Sequence, residues 1–242
     1  MNQNLITRIL VAIVAIPAIL WISYQGGWWL FGMLLLLTTL ASLEFLFNEN
    51  YRPDNILFWI SLVAVLLLFA NGTSNFLMMH VSFAQSKFLA SLYIIPLTVV
   101  FFLITGMTLS TGSESPSILF IRHARLLWGV VYIGLLYPVV FLVGSGMNGF
   151  SGGDLLLFLF GLIWVGDTAA MEIGKRIGKH KLAPAVSPNK TVEGFFGGIF
   201  GAIIIGMVMH FWKFHSVPVW HMLVVAFGCS VFGQLGDLVE SM

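Results

Sequence analysis

The sequence predicts an all-α, polytopic membrane protein of about eight transmembrane helices with a cytoplasmic N-terminus. Three observations carry this. Of the 242 residues, 59% are hydrophobic and only 9% charged, against about 25% charged in soluble domains. The mean hydropathy is +0.98. The apolar residues fall into runs long enough to cross a bilayer as helices, which takes roughly 17–25 residues. Too few charges are present to cover a water-facing surface, and in lipid a run of this length must satisfy its backbone within itself.

The predicted spans are about 6–24, 28–47, 56–72, 87–109, 125–144, 153–173, 194–212 and 219–239. Arg8 and the apolar run after it look like a secretion signal, but "YQGGWWLF" follows where small residues would mark cleavage, so the first run is read as a retained span. Trp21, Trp28, Trp29, Trp59, Trp128, Trp212 and Trp220 lie near the ends of spans, as interfacial aromatics do. With the N-terminus inside, nine cations lie on the cytoplasmic side (Arg8, Arg52, Arg122, Arg125, Lys175, Arg176, Lys179, Lys181 and Lys190) and two, Lys87 and Lys213, on the other. Substituting Lys213, on the far side, is expected to change the reaction little. The net charge of +1 gives no global field for nucleic acid. Cys229, the single cysteine, has no partner for an internal disulfide. The chain divides into residues 1–150, about five spans, and 151–242, a catalytic-type membrane region holding a cytoplasmic polar loop at 174–193.

The ionisable residues concentrate in the second part. Asp167, in "IWVGDTAAMEIG", falls inside a span, where a carboxylate is costly and marks a functional position. Five cations follow between Lys175 and Lys190, with glycines among them. Glycines let backbone N–H groups approach an anion, and lysines supply point charge to phosphate. Binding of anionic lipid headgroups needs charge alone. The segment from Ser187 through Asn189, Lys190 and Thr191 to Glu193 adds directed donors and acceptors, which favours a phosphate ligand. Gly194, Gly197, Gly198 and Gly201 share one face of the seventh span and are read as a packing surface. Asp237 and Glu240, at i and i+3, suit a hard divalent cation such as Mg2+. The six histidines have no metal-ligand spacing and are read as interfacial.

"GDTAAMEIGKRIGKHKLAPAVSPNKTVEGFFGG", followed some forty residues later by "GDLVESM", resembles the CDP-diacylglycerol synthases, the phosphatidate cytidylyltransferases. The likeness covers roughly residues 160–242. It implies that CTP and phosphatidate, a membrane lipid, give CDP-diacylglycerol and pyrophosphate with magnesium, in a multi-pass protein of the bacterial inner membrane. A monovalent second ion stays open. By this resemblance Asp167, Lys190 and Asp237 are catalytic. Asp237, Glu240 and Asp167 would hold metal, and Lys175, Lys179, Lys181, Ser187, Asn189, Lys190, Thr191 and Glu193 would bind substrate. The family's pattern continues past "GDLVES" with further carboxylates and a last span, so the chain is expected to be a fragment or half of a split enzyme, without turnover alone. Met171 and Glu172 depart from the pattern. A homodimer and a separate C-terminal partner chain are both left open, as are a lipid transporter and a non-catalytic membrane subunit.

Overall fold

A computed structural model describes residues 3–73, 115–147 and 149–240, with side chains except at 3–12, 116, 119, 239 and 240. The chain is an all-α, multi-pass membrane protein. Its helices are α1 (Gln3–Gln25), α2 (Gly27–Asn48), α3 (Ile56–Gly72), α4 (Pro116–Gly144), α5 (Gly152–Ile177), α6 (Val192–Trp212) and α7 (Val219–Glu240). Between α5 and α6 lie the strands β1 (Lys181–Ala183) and β2 (Ser187–Thr191). These helices coincide with seven of the eight predicted spans; the eighth, 87–109, lies outside the described residues. By length and hydropathy, α2, α5 and α6 qualify along their whole lengths, α4 from Phe120 and α7 to Leu238, while α3 and the Ile13–Gln25 part of α1 are shorter apolar helices.

Two compact units result, Met1–Gly152 and Gly153–Met242. In the first, Leu30, Leu34, Thr38, Ser42 and Leu46 of α2 are buried at four-residue spacing along one face. The two hydroxyls on that face donate to carbonyls one turn back, Thr38 to Leu34 at 2.7 Å and Ser42 to Thr38 at 2.6 Å. Polar side chains are thereby satisfied inside the helix rather than left bare in an apolar core. Asn55 caps α3 by accepting from the Leu57 amide at 2.9 Å. Tyr51, in the α2–α3 connection, is buried in the core with Leu126 and Val130 of α4, and the Arg122 guanidinium lies 5.1 Å from its ring centroid. Arg125 pairs with Glu49 at 3.5 Å. Helix α4 begins at Pro116, nine residues before the predicted span. Hydropathy marks where lipid starts, whereas the helix continues through charged turns once Pro at its start has set φ.

The second unit rests on close backbone approach. A Cβ on Gly194 would lie 2.7 Å from the Ala170 carbonyl oxygen, and one on Gly201 would lie 2.7 Å from Ala169 Cβ. Gly197 faces the Ile173 side chain and Gly206 faces Ala226. The predicted glycine face of α6 therefore packs directly on α5, with α7 beside it. The remaining faces expose Phe196, Phe200, Phe211, Val224 and Phe232, side chains suited to lipid. All seven tryptophans placed near span ends are exposed as well.

The 174–193 segment is not a loop. It comprises the last turn of α5, a two-stranded antiparallel hairpin and the first residues of α6. Lys181 pairs with Thr191 and Ala183 with Ser187, with an irregularity between Lys181 and Ala183. The Val186 amide closes the turn on the Ala183 carbonyl at 3.1 Å. Both strands are edges, so Pro188 is tolerated without a ladder donor.

The α5–α6 contact is specific enough to test. Gly201→Val is expected to destabilise the protein by about 1–3 kcal/mol through overpacking. Gly228→Ala, where an added Cβ meets nothing within 4 Å, is expected to change stability by less than about 0.5 kcal/mol. Thermal unfolding in detergent distinguishes them; equal shifts would disprove the tight contact.

Candidate functional site

A cavity of about 680 Å³ opens where α5, the hairpin, α6 and α7 converge. Its volume lies within the range of about 300–1,000 Å³ common for small-molecule sites. Helix α5 contributes Asp167, Ala170, Met171, Gly174 and Lys175, and the hairpin contributes Leu182, Ser187, Asn189, Lys190 and Thr191. Gly194 and Phe195 come from α6, Gln234 and Asp237 from α7. Polar groups thus face an apolar floor made by Ala170, Met171, Leu182 and Phe195.

At its centre the Lys190 ammonium sits 2.7 Å from Asp237 Oδ2. Lys190 Nζ is shut off from solvent, whereas the Asp237 side chain is 64% exposed. The contact is an ion pair by distance, without hydrogen-bond alignment. Asp167 feels the charges of both Asp237 and Lys190. Two carboxylates and one ammonium from three elements therefore share one field. Lys175 also lines the cavity, its ammonium 4.0 Å from Glu172.

The hairpin is held at its base. Thr191 is the N-cap of α6 and accepts from the Gly194 amide at 3.1 Å. Its hydroxyl lies so close to α5 that a Cβ on Gly174 would stand 2.9 Å away. Glu193 accepts from the Lys179 amide at 3.0 Å and the His180 amide at 3.2 Å, and its other oxygen lies 2.6 Å from His180 Nδ1. The Val192 amide donates to the His180 carbonyl at 2.9 Å. On α7, Gln234 donates to the Phe195 carbonyl at 3.2 Å and to Ser230 Oγ at 3.1 Å, joining α7 to α6.

Of the residues singled out in the sequence, the cavity gathers Asp167, Lys175, Ser187, Asn189, Lys190, Thr191 and Asp237. Lys179, Lys181 and Glu193 lie outside its lining. The Glu193 carboxylate ties the hairpin base through Lys179 and His180. The Glu240 side chain lies outside the described residues. Lys213 pairs with Asp154 at 3.2 Å, and that carboxylate is largely buried. Of the histidines read as interfacial, His123 is buried and His180 is bound to Glu193; His80 lies outside the described residues. Sequence reasoning missed Gln234 and Phe195. Gln234 stands three residues before Asp237 in "GQLGDL", hence on the same helix face, which was the available signal.

Residues 6–242 match the model of the cytidylyltransferase family. The chain is 32% identical over 234 residues to a phosphatidate cytidylyltransferase of Staphylococcus haemolyticus, covering 97% of this chain and 83% of that protein. A relative of the same name from Staphylococcus saprophyticus matches to the same extent. One from Staphylococcus epidermidis is 42% identical over 122 residues, which is 50% of this chain and 45% of that protein. No solved structure matches. The chain belongs to the cytidylyltransferase family.

The Thr191 cap gives a test of how the hairpin is positioned. Thr191→Val keeps the shape but removes the acceptor, leaving the Gly194 amide unpaired, and is expected to cost about 0.5–2 kcal/mol. Thr191→Ser is expected to retain most of the stability. Thermal unfolding of both variants checks this, and indistinguishable curves would refute a capping role.

Proposed function

We propose that this chain carries the phosphatidate cytidylyltransferase reaction at the cytoplasmic face of a bacterial inner membrane. The observation that supports it best is the buried Lys190 ammonium, 2.7 Å from the Asp237 carboxylate in a cavity that Asp167 also lines. The names of the relatives support a nucleotidyltransferase over a lipid transporter or a non-catalytic subunit.

In this reading a phosphate oxygen of phosphatidate attacks the α-phosphorus of CTP. A new P–O bond forms, the bond to the β-phosphate breaks, and pyrophosphate leaves. Both reactants are anionic, so the barrier is largely repulsion, and fixed positive charge lowers it. Lys190 would neutralise phosphate charge, with Lys175 at the rim. Ser187 and Asn189 would orient phosphate oxygens by hydrogen bonds. Thr191 acts by placing Lys190 and the first turn of α6. The carboxylates of Asp167 and Asp237 and the carboxamide of Gln234 are oxygen donors, the type that magnesium prefers, so the residues present fit that ion. Magnesium would supply charge neutralisation at the transferring phosphoryl group. Asp237 would be its first ligand, with Asp167 positioning metal or substrate. The nine-to-two distribution of cations supports a cytoplasmic hairpin. A monovalent second ion, a homodimer and a separate C-terminal partner chain are compatible additions.

The orientation is checked in a Cys229→Ala background with Ala185→Cys in the hairpin turn. An impermeant thiol reagent is expected to label this cysteine only after the inner membrane is opened; labelling in cells with only the outer membrane permeabilised would reverse the topology.

The reaction is tested with radiolabelled CTP and phosphatidate. One sample is the 242-residue chain and the other is the chain joined to the C-terminal segment of the Staphylococcus haemolyticus relative. Formation of CDP-diacylglycerol in either supports the proposal, and its absence from both overturns it. In the active form Lys190→Ala is expected to lose about 2–4 kcal/mol of transition-state stabilisation. Arg52→Ala, on the α2–α3 connection, is expected to lose less than about 0.5 kcal/mol. Equal small losses would point to non-specific headgroup attraction instead.

A further inference from the structure

We infer that Lys190 and Asp237 are mutual place-holders, each occupying the charge that the other's ligand must reach, so that a divalent cation and a phosphate anion are taken up together rather than singly. This rests on reading the cavity as a nucleotide and metal site, and it concerns the order in which that site fills.

The geometry carries it. Asp237 Oδ2 already has an ammonium 2.7 Å away, and that ammonium is shut off from solvent. The two side chains come from separate elements, β2 and α7. The base of the hairpin is fixed by the Thr191 cap, the Glu193 contacts and the Val192 to His180 bond. The Lys190 backbone is therefore held, and what remains free to swing is its four-carbon stem, which carries three rotatable donors. The cavity beside it provides the space, and Ser187 and Asn189 line that space as further partners for an anion.

Charge arithmetic then sets the coupling. Lys175 at the rim is balanced by Glu172 at 4.0 Å, and the remaining charged lining groups, Asp167, Asp237 and Lys190, together carry one net negative charge. A dication arriving alone would meet Lys190 beside its carboxylate. An anion arriving alone would pull Lys190 away and leave two carboxylates facing each other and the incoming charge. When both arrive, Lys190 turns to the phosphate and Asp237 to the cation, and every charge keeps an opposite neighbour. Paired charges in a partly desolvated site are favourable, whereas an uncompensated one is strongly penalised.

The consequence is reciprocal: removing either partner should free the other for its own ligand in isolation. Mn2+ binding to the purified full chain, followed by electron paramagnetic resonance without nucleotide, reads the first half. Lys190→Met is expected to bind Mn2+ about tenfold more tightly than wild type, a coupling of ordinary size. Lys190→Gln repeats the test with a polar side chain. Lys190→Arg keeps the charge and is expected to stay near wild type. The gain must vanish in Lys190→Met/Asp237→Asn. Equilibrium dialysis of tritiated CTP in EDTA reads the second half, with Asp237→Asn expected to bind metal-free CTP about fivefold more tightly than wild type. Unchanged Mn2+ affinity in both Lys190→Met and Lys190→Gln, or a gain that survives without Asp237, overturns the place-holder role. If the Mn2+ results hold but none of these proteins binds CTP with or without metal, the ion pair still gates the cation and the nucleotide reading fails instead.

Discussion

The close approach of α6 to α5 is the constraint on which the second unit depends. Lipid gives helices no hydrophobic reason to associate, so contact must come from fitting surfaces. Gly194, Gly197, Gly198 and Gly201 leave out the Cβ that would otherwise press against Ala170, Ala169 and Ile173. That closeness brings the Thr191 hydroxyl against Gly174 and lets one residue both cap α6 and seat the hairpin on α5. The cavity is the space left where the hairpin departs from this tight seam. A bulky residue in the seam would therefore move Lys190 relative to Asp167, so the packing and the proposed chemistry are linked through a single helix start.

Much of this was legible in the sequence because the strongest signals were compositional. Apolar runs located the helices, and α3 falls on its predicted span residue for residue. The glycine spacing on α6 gave its packing face, since period and face are bound together in a helix. The charged end of the sixth predicted span and the polar segment after it marked the residues that line the cavity. What composition could not give was pairing. A cation-rich segment reads the same as a loop or as a hairpin, because two three-to-five-residue strands carry little periodic signal. The contacts of Glu193 are of the same kind: its position one residue into α6 turns it back on Lys179 and His180. The start of α4 was missed because Arg122, His123 and Arg125 end an apolar run without ending a helix. Asp237 was paired with Glu240 by helix spacing, while its ion-pair partner, Lys190, comes from a strand forty-seven residues earlier in the chain.

The same accounting separates Asp154 from Asp167. Both sit in α5, and both are carboxylates in a largely apolar helix. Asp154 is matched by Lys213 at 3.2 Å and is mostly covered, so its charge is committed to joining α5 to the α6–α7 connection. Removing Lys213 would strand a buried charge, a structural loss unrelated to catalysis. Asp167 instead lines an open cavity together with a second carboxylate and an ammonium. An ionisable residue in a span signals cost wherever it occurs; what separates scaffold from site is whether its counter-charge is settled within the fold or shared at a cavity.

That distinction bears on the Lys190–Asp237 pair, which sits where α6 begins and α7 ends, with Asp167 inside α5 lining the same cavity. Lys190 and Asp237 can coexist just before the start of α6 and in the last turn of α7 because one side chain of the ion pair, Asp237, remains open to solvent while the other, Lys190, is covered. Placed a few turns deeper, the same ion pair would face the full desolvation penalty of the bilayer. Placed on a free loop, it would be screened and unfixed, and worth little. A hairpin clamped to the end of a glycine-lined seam satisfies both limits. It holds an ammonium against a carboxylate firmly enough to define a site, and leaves the lysine stem as the element that a phosphate could draw away.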